Sequence, residues 1–192
     1  EVDGKKTAKE LIYVKDNEEQ SIPLTADDLV FITNGCCTDT SSYGDQTHAP
    51  DLSHIVNGQG ESWDLWKNIA KQAKHDEYGH PDVFCSDTEA TNWMSATVET
   101  SNEDIIQHIM NICKRDPRAG KVTTGGIVTV KDSVNNWFLS WTINRQPQFR
   151  SQNKDTVLVW LYALHTDTEG NYIKKAMRDC TGEEICQEWL YH

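Results

Sequence analysis

Apolar and polar positions along this chain change their period from one end to the other, and the changes mark its elements. Glu10-Leu11-Ile12-Tyr13-Val14-Lys15 is rich in β-formers, Asp16 to Glu19 is a turn cluster, and Gln20 to Leu24 returns, with Pro23 suited to a sheet edge. A hairpin is the reading. Leu29-Val30-Phe31-Ile32 is then continuously apolar, follows Asp27-Asp28 and runs into Asn34-Gly35. That pattern predicts a strand at 28–33 buried on both faces and closed by a sharp turn. An ordinary strand followed by a turn fits the same residues.

Residues 38–60 show no apolar periodicity and are rich in Thr, Ser, Asp, Gly and His, so they read as a long loop. Its His48 and His54 are read as solvated. Ser62 can cap a helix with Trp63, Trp66, Ile69, Ala70 and Ala73 on one stripe, which Gly79-His80-Pro81 stops. The two tryptophans are read as core anchors. Residues 92–100 alternate as a strand. Ser101 begins a second helix with a broad face of Ile105, Ile109, Ile112 and Cys113, and Pro117 ends it.

After Gly120 the pattern becomes that of strands. Gly125–Val130 is one. In 136–144, Trp137, Leu139, Trp141 and Ile143 share a face opposite Asn136, Ser140 and Thr142. Thr156–Leu164 is apolar on both faces and predicts a central strand. Short gaps between these runs point to antiparallel neighbours. Thr181-Gly182-Glu183-Glu184 is a capping box opening a helix toward Tyr191. The fold class is α+β, a mainly antiparallel sheet with packed helices.

Composition narrows the function. The 192 residues carry a net charge of −12, which repels phosphate, so nucleic acid is not an expected partner and neither is an anionic membrane surface. No apolar run approaches the roughly 20 residues that span a bilayer. The six cysteines lack the spacing of a secreted disulfide scaffold and read as reduced, cytosolic thiols. No metal site is expected, since Cys180 and Cys186 have no second Cys or His pair near them. No nucleophile elbow or dinucleotide-binding Gly-x-Gly-x-x-Gly occurs. The vicinal pair Cys36-Cys37 shows no neighbouring cation or helix terminus that would activate a thiol. The chain opens on Glu1 without an initiator Met or signal peptide and stops within its last helix, which reads as an internal piece of a longer protein.

Asp28-Leu29-Val30-Phe31-Ile32-Thr33-Asn34-Gly35 resembles a signature of the oleate hydratase family, also called myosin-cross-reactive antigens. Ser62-Trp63-Asp64-Leu65-Trp66, Thr124-Gly125-Gly126-Ile127-Val128-Thr129, Lys131-Asp132-Ser133, Gln146-Pro147-Gln148-Phe149, Gly170-Asn171-Tyr172 with Lys174-Lys175, and Cys180-Thr181-Gly182-Glu183-Glu184-Ile185 fit the same family in the same order. The resemblance implies FAD as cofactor, an unsaturated long-chain fatty acid as substrate, and addition of water across a cis double bond of oleic or linoleic acid. It assigns residues 1–37 to part of an FAD-binding, Rossmann-like domain, to which the strand at 28–33 belongs. Residues 38–192 become part of a substrate-binding domain.

By the same resemblance the catalytic Glu and Tyr lie upstream and the groups holding the substrate carboxylate lie downstream, so no catalytic residue is expected here. The family's flavin-contacting Ser aligns with Cys36, and Asn34 and Gly35 shape the approach; Cys is a weaker hydrogen-bond donor than Ser. Other departures are Val122-Thr123-Thr124, less Gly-rich than usual, Gln148 in place of His, and Lys175-Ala176-Met177 without Pro. The resemblance also allows a homodimer and a peripheral membrane contact outside this segment. An FAD-dependent isomerase of polyunsaturated fatty acids, a lipid-binding module without FAD and an inert structural fragment are the alternatives.

Overall fold

The computed structural model describes residues 3–31, 36–72 and 79–192. The chain divides into two compact units, Glu1–Asn34 and Gly35–His192. In the first, β1 (Glu10–Lys15) and β2 (Glu18–Pro23) pair antiparallel, with Lys15 opposite Glu18. The turn is only two residues long, so β2 starts earlier than the sequence suggested. Asp16 and Asn17 both take positive φ, 55° and 64°, which matches the twist of a tight hairpin. Its large apolar side chains Leu11, Ile12, Val14 and Ile22 are all exposed.

The strand expected at 28–33 is corrected over its described part. Residues 28–31 form no strand, and Leu29 and Phe31 are 84% and 91% exposed. Asp28 instead closes a local turn, its Oδ2 accepting from both the amide and the hydroxyl of Thr25 at 2.7 Å. An apolar run becomes a strand only beside a neighbour that takes up its N–H and C=O groups. Among the described residues, 28–31 have no such neighbour. Ile32, Thr33, Asn34 and Gly35 lie outside the described residues.

The second unit holds the core. Its sheet runs β3 (Met94–Thr100), β6 (Val157–Ala163), β5 (Ser140–Thr142), β4 (Val128–Thr129), antiparallel throughout. The doubly apolar strand β6 is indeed central. Val157, Val159, Leu161 and Ala163 fill one face, while on the other Trp160 meets Trp93 edge to face and packs beside Tyr162. The predicted alternation also holds, with Trp137, Leu139, Trp141 and Ile143 all buried.

Both predicted strands around β5 are shorter than their patterns. Phe138 adopts φ 52°, and the Ser133 hydroxyl accepts the Leu139 amide at 2.8 Å, so a turn occupies the start of the 136–144 run. Before β4, threonines replace the ladder: Thr124 and Thr142 hydroxyls meet at 2.7 Å, and the Thr124 hydroxyl accepts the Ile143 amide at 3.2 Å.

Helices α2 (Glu103–Cys113) and α3 (Gly182–Tyr191) cover the buried face with Ile106, Ile109, Ile185 and Trp189. Asn102, not Ser101, caps α2, accepting the amides of Asp104 and Ile105. The capping box at Thr181 and Glu184 is complete. A further helix, α1 (Asp64–Gln72), follows a short 3-10 turn at Glu61–Trp63, so Ser62 lies inside that turn and does not cap the helix as expected. Trp63 is wholly buried, and Trp66 is half-buried edge-on to Phe84.

Candidate functional site

Where α2 and the end of α3 meet the β4 edge, the sheet is only two residues deep, and the helices leave it partly uncovered. The result is a cavity of about 570 Å³ that opens to solvent, within the range of small-molecule sites. Its floor is Ile109, Trp141 and Trp189, and its walls include Ile105 and Ile112 of α2 and Val128 and Val130 around β4. Trp141 and Trp189 meet edge to face at 6.1 Å. Titratable groups sit at the rim: Asp104 and His108 from α2, Lys131 and Asp132 after β4, and His192.

The α3 end of the groove rests on a buried carboxylate. Glu188, 1% exposed, accepts the amides of Asn171 at 2.6 Å, Tyr172 at 3.0 Å and Ile173 at 2.7 Å. His192 Nε2 lies 3.3 Å from its Oε1; the His192 ring is tucked in while its main chain is open to solvent. Three amide donors satisfy a buried carboxylate as a helix terminus satisfies an anion. The loop must fold tightly to aim them. A Cβ on Gly170 would come within 2.6 Å of the Ile173 carbonyl and 2.9 Å of the Glu188 carboxylate, so only glycine fits. This explains Gly170-Asn171-Tyr172 as a carboxylate cradle. The glycine was visible in the sequence; its partner, eighteen residues on, was hidden inside a helix that reads as a charged face.

The groove was also missed, because Ile105, Ile109 and Ile112 have the spacing of an ordinary core stripe. Only the shortness of β4 turns part of that stripe outward. Chemically the groove suits a hydrocarbon chain, with Lys131 or His108 able to meet an anionic end. Glu188 is an acceptor locked by its amides, so it orders the wall of the groove.

Of the residues singled out from sequence, Cys36 is described, and it does not line the groove. Cys36 and Cys37 are exposed. Thr38 donates its hydroxyl to the Cys36 sulfur at 3.3 Å. This contact, helped by hydrogen bonds from the Thr38 backbone and the Cys37 thiol, draws the Cys36 thiol below its ordinary range, whereas burial and the neighbouring Cys36 charge push Cys37 up. The following loop is anchored at both ends. Trp63 Nε1 donates to the Cys37 carbonyl at 3.1 Å, and the buried Asp39 accepts the Gly60 amide at 2.9 Å.

An exposed Cys36 with an adjacent hydroxyl fits contact with the edge of a flavin ring. It offers no cradle for a pyrophosphate, and its proposed companions Asn34 and Gly35 lie outside the described residues. The Thr47 amide, followed by the ring of the exposed His48 at 2.9 Å, holds the Asp45 carboxyl down at about 2. Among the described residues no group of three or more His, Cys, Asp or Glu could hold a metal ion, and no helix is long and apolar enough to cross a membrane.

A model of the MCRA family matches residues 1–192. The chain is similar to an oleate hydratase of Streptococcus pyogenes serotype M49 (strain NZ131), with 44% identity over 190 residues, 98% of this chain and 31% of that protein. It is also similar to a linoleate hydratase of Lactiplantibacillus plantarum, with 29% identity over 177 residues, 90% of this chain and 30% of that protein. The chain thus spans less than a third of the length of these relatives.

Proposed function

The chain belongs to the MCRA family, and we propose that it is an internal segment of an FAD-dependent fatty acid hydratase acting on oleic or linoleic acid. The observation that carries this reading is the match over nearly the whole chain to a protein named for oleate hydration. The groove supports it: an apolar trough on a rigid core, with a cation at its rim, is what a long acyl chain with a carboxylate end requires. In this reading the groove seats part of the acyl chain.

Residues 1–37 contribute to the FAD-binding domain and 38–192 to the substrate-binding domain. Cys36, Asn34 and Gly35 hold an edge of the flavin, which, when bound, supplies a fixed polar surface with no net redox change. Hydration needs an acid to protonate one alkene carbon and a base to activate water at the other. Those groups come from parts of the longer protein outside this chain, which acts by binding, orienting and excluding bulk water. The protein works in the cytoplasm.

The test is to incubate the full-length protein that carries this segment with FAD and either oleate or linoleate, and to analyse the products by mass spectrometry. A hydroxy fatty acid heavier by one water supports the reading. A product of unchanged mass with a shifted double bond makes it an isomerase instead. The 192-residue chain alone should give neither product.

A further inference from the structure

We propose that Cys36 and Cys37 form a peroxide-responsive dithiol that closes reversibly to a vicinal disulfide. The two thiols are neighbours in sequence, and both are exposed. The Thr38 hydroxyl points at the Cys36 sulfur from 3.3 Å and would stabilise the thiolate. Trp63 holds the Cys37 main chain through its indole N–H, so the pair sits on a fixed backbone.

The other four cysteines contrast with this pair. Cys85 and Cys180 are buried, and Cys113 and Cys186 are half-buried. Burial raises all four thiols, Cys180 to about 12. Among the six, Cys36 alone is both open to solvent and shifted toward the reactive form. In the hydration proposed above Cys36 only touches an edge of the flavin, and no step uses its sulfur as a nucleophile.

The chemistry balances with a hydroperoxide as the oxidant. The Cys36 thiolate attacks one oxygen of hydrogen peroxide; an S–O bond forms, the O–O bond breaks, and the departing hydroxide takes a proton to leave as water. Cys37 sulfur then attacks the Cys36 sulfenic acid. The S–S bond forms, the S–O bond breaks, and the Cys37 proton leaves with the second hydroxide as water. Two thiols and one peroxide give one disulfide and two waters, the sulfurs losing two electrons and the peroxide gaining them. An exposed disulfide in so small a ring is readily reduced again by a thiol. Neither step needs the flavin, so failure of the hydratase reading leaves this inference untouched.

The test uses the reduced 192-residue chain, treated with one equivalent of hydrogen peroxide, alkylated and mapped by peptide mass spectrometry. The peptide holding Cys36 and Cys37 should be two hydrogens lighter and unalkylated, and dithiothreitol should reverse this, while Cys85, Cys113, Cys180 and Cys186 are alkylated. In Cys37→Ser the reaction should stop at a Cys36 sulfenic acid that dimedone traps. Thr38→Val should slow the first step several-fold, and Thr38→Ser should restore it; circular dichroism checks that each variant is folded. Oxidation spread evenly over the cysteines, a disulfide joining two chains, or equal rates in the Val and Ser variants would overturn the proposal.

Discussion

The hairpin unit and the helix–sheet unit both display large apolar side chains to solvent, but in different settings. On β1 and β2 they stand out from a two-stranded ribbon; Ile12 and Val14 are 60% and 70% exposed. Around the groove they line a concave surface backed by Trp141 and Trp189, which belong to the buried cluster. A two-stranded ribbon is marginal in water, and its apolar residues order nothing. A trough cut into a close-packed core holds its shape, and a ligand entering it does not have to order the wall first. The lesson is that apolar exposure suggests a ligand only where the fold has already fixed it.

The comparison breaks most sharply if the core does not behave as one. Trp141→Ala should destabilise the chain by about 3–5 kcal/mol, read as a lowered urea midpoint; an unchanged midpoint would detach β5 from the core. Glu188→Ala should cost about 2–3 kcal/mol, because three amides of the 171–173 loop lose the acceptor they share, and hydrogen exchange at Asn171, Tyr172 and Ile173 should accelerate. Exchange that does not change would mean that the cradle closes without the carboxylate.

Thr181→Ala should cost about 1 kcal/mol through the lost cap. The same cap carries a pH signature. Lys175 and the Thr181 amide hold the Glu184 carboxyl below its ordinary value of 4.5. A depressed folded value means that the stabilisation is complete above about the ordinary value and is lost as pH falls through the folded one. Glu184→Gln should flatten that part of the stability–pH curve. The smallest effect belongs to the hairpin: Val14→Ala should stay within about 0.5 kcal/mol of the parent, and a larger loss in the same urea titration would reveal packing on the ribbon.

These regions also differed in how far they could be read from sequence. The central strand β6, the Trp137–Ile143 face and the α3 capping box were legible because each is written in local periodicity or in adjacent residues, and the structure keeps them. The run at 29–32 misled over its described part because apolar residues state only that they need burial, not that a neighbour is present. The flavin-side residues rested on alignment to a family and lie partly outside the described structure. The groove was illegible for another reason. Ile105, Ile109 and Ile112 share one helical stripe, and whether the stripe is covered depends on how many residues β4 contributes, a tertiary fact. Glu188 was hidden in the same way, since its three donors come from a loop distant in sequence.

If the groove seats an acyl chain, one binding titration shows it most directly. Cis-parinaric acid, an unsaturated fatty acid that fluoresces when shielded from water and accepts energy from tryptophan, is titrated into the parent chain, Ile112→Lys and Val14→Lys. Ile112 is half exposed on the groove wall, so the lysine should not unfold the chain. A groove that seats the chain should give saturable energy transfer in the parent and in Val14→Lys, with affinity in Ile112→Lys weaker by about tenfold or more, equivalent to about 1.4 kcal/mol. Equal affinity in all three proteins, or a loss confined to Val14→Lys, would contradict it.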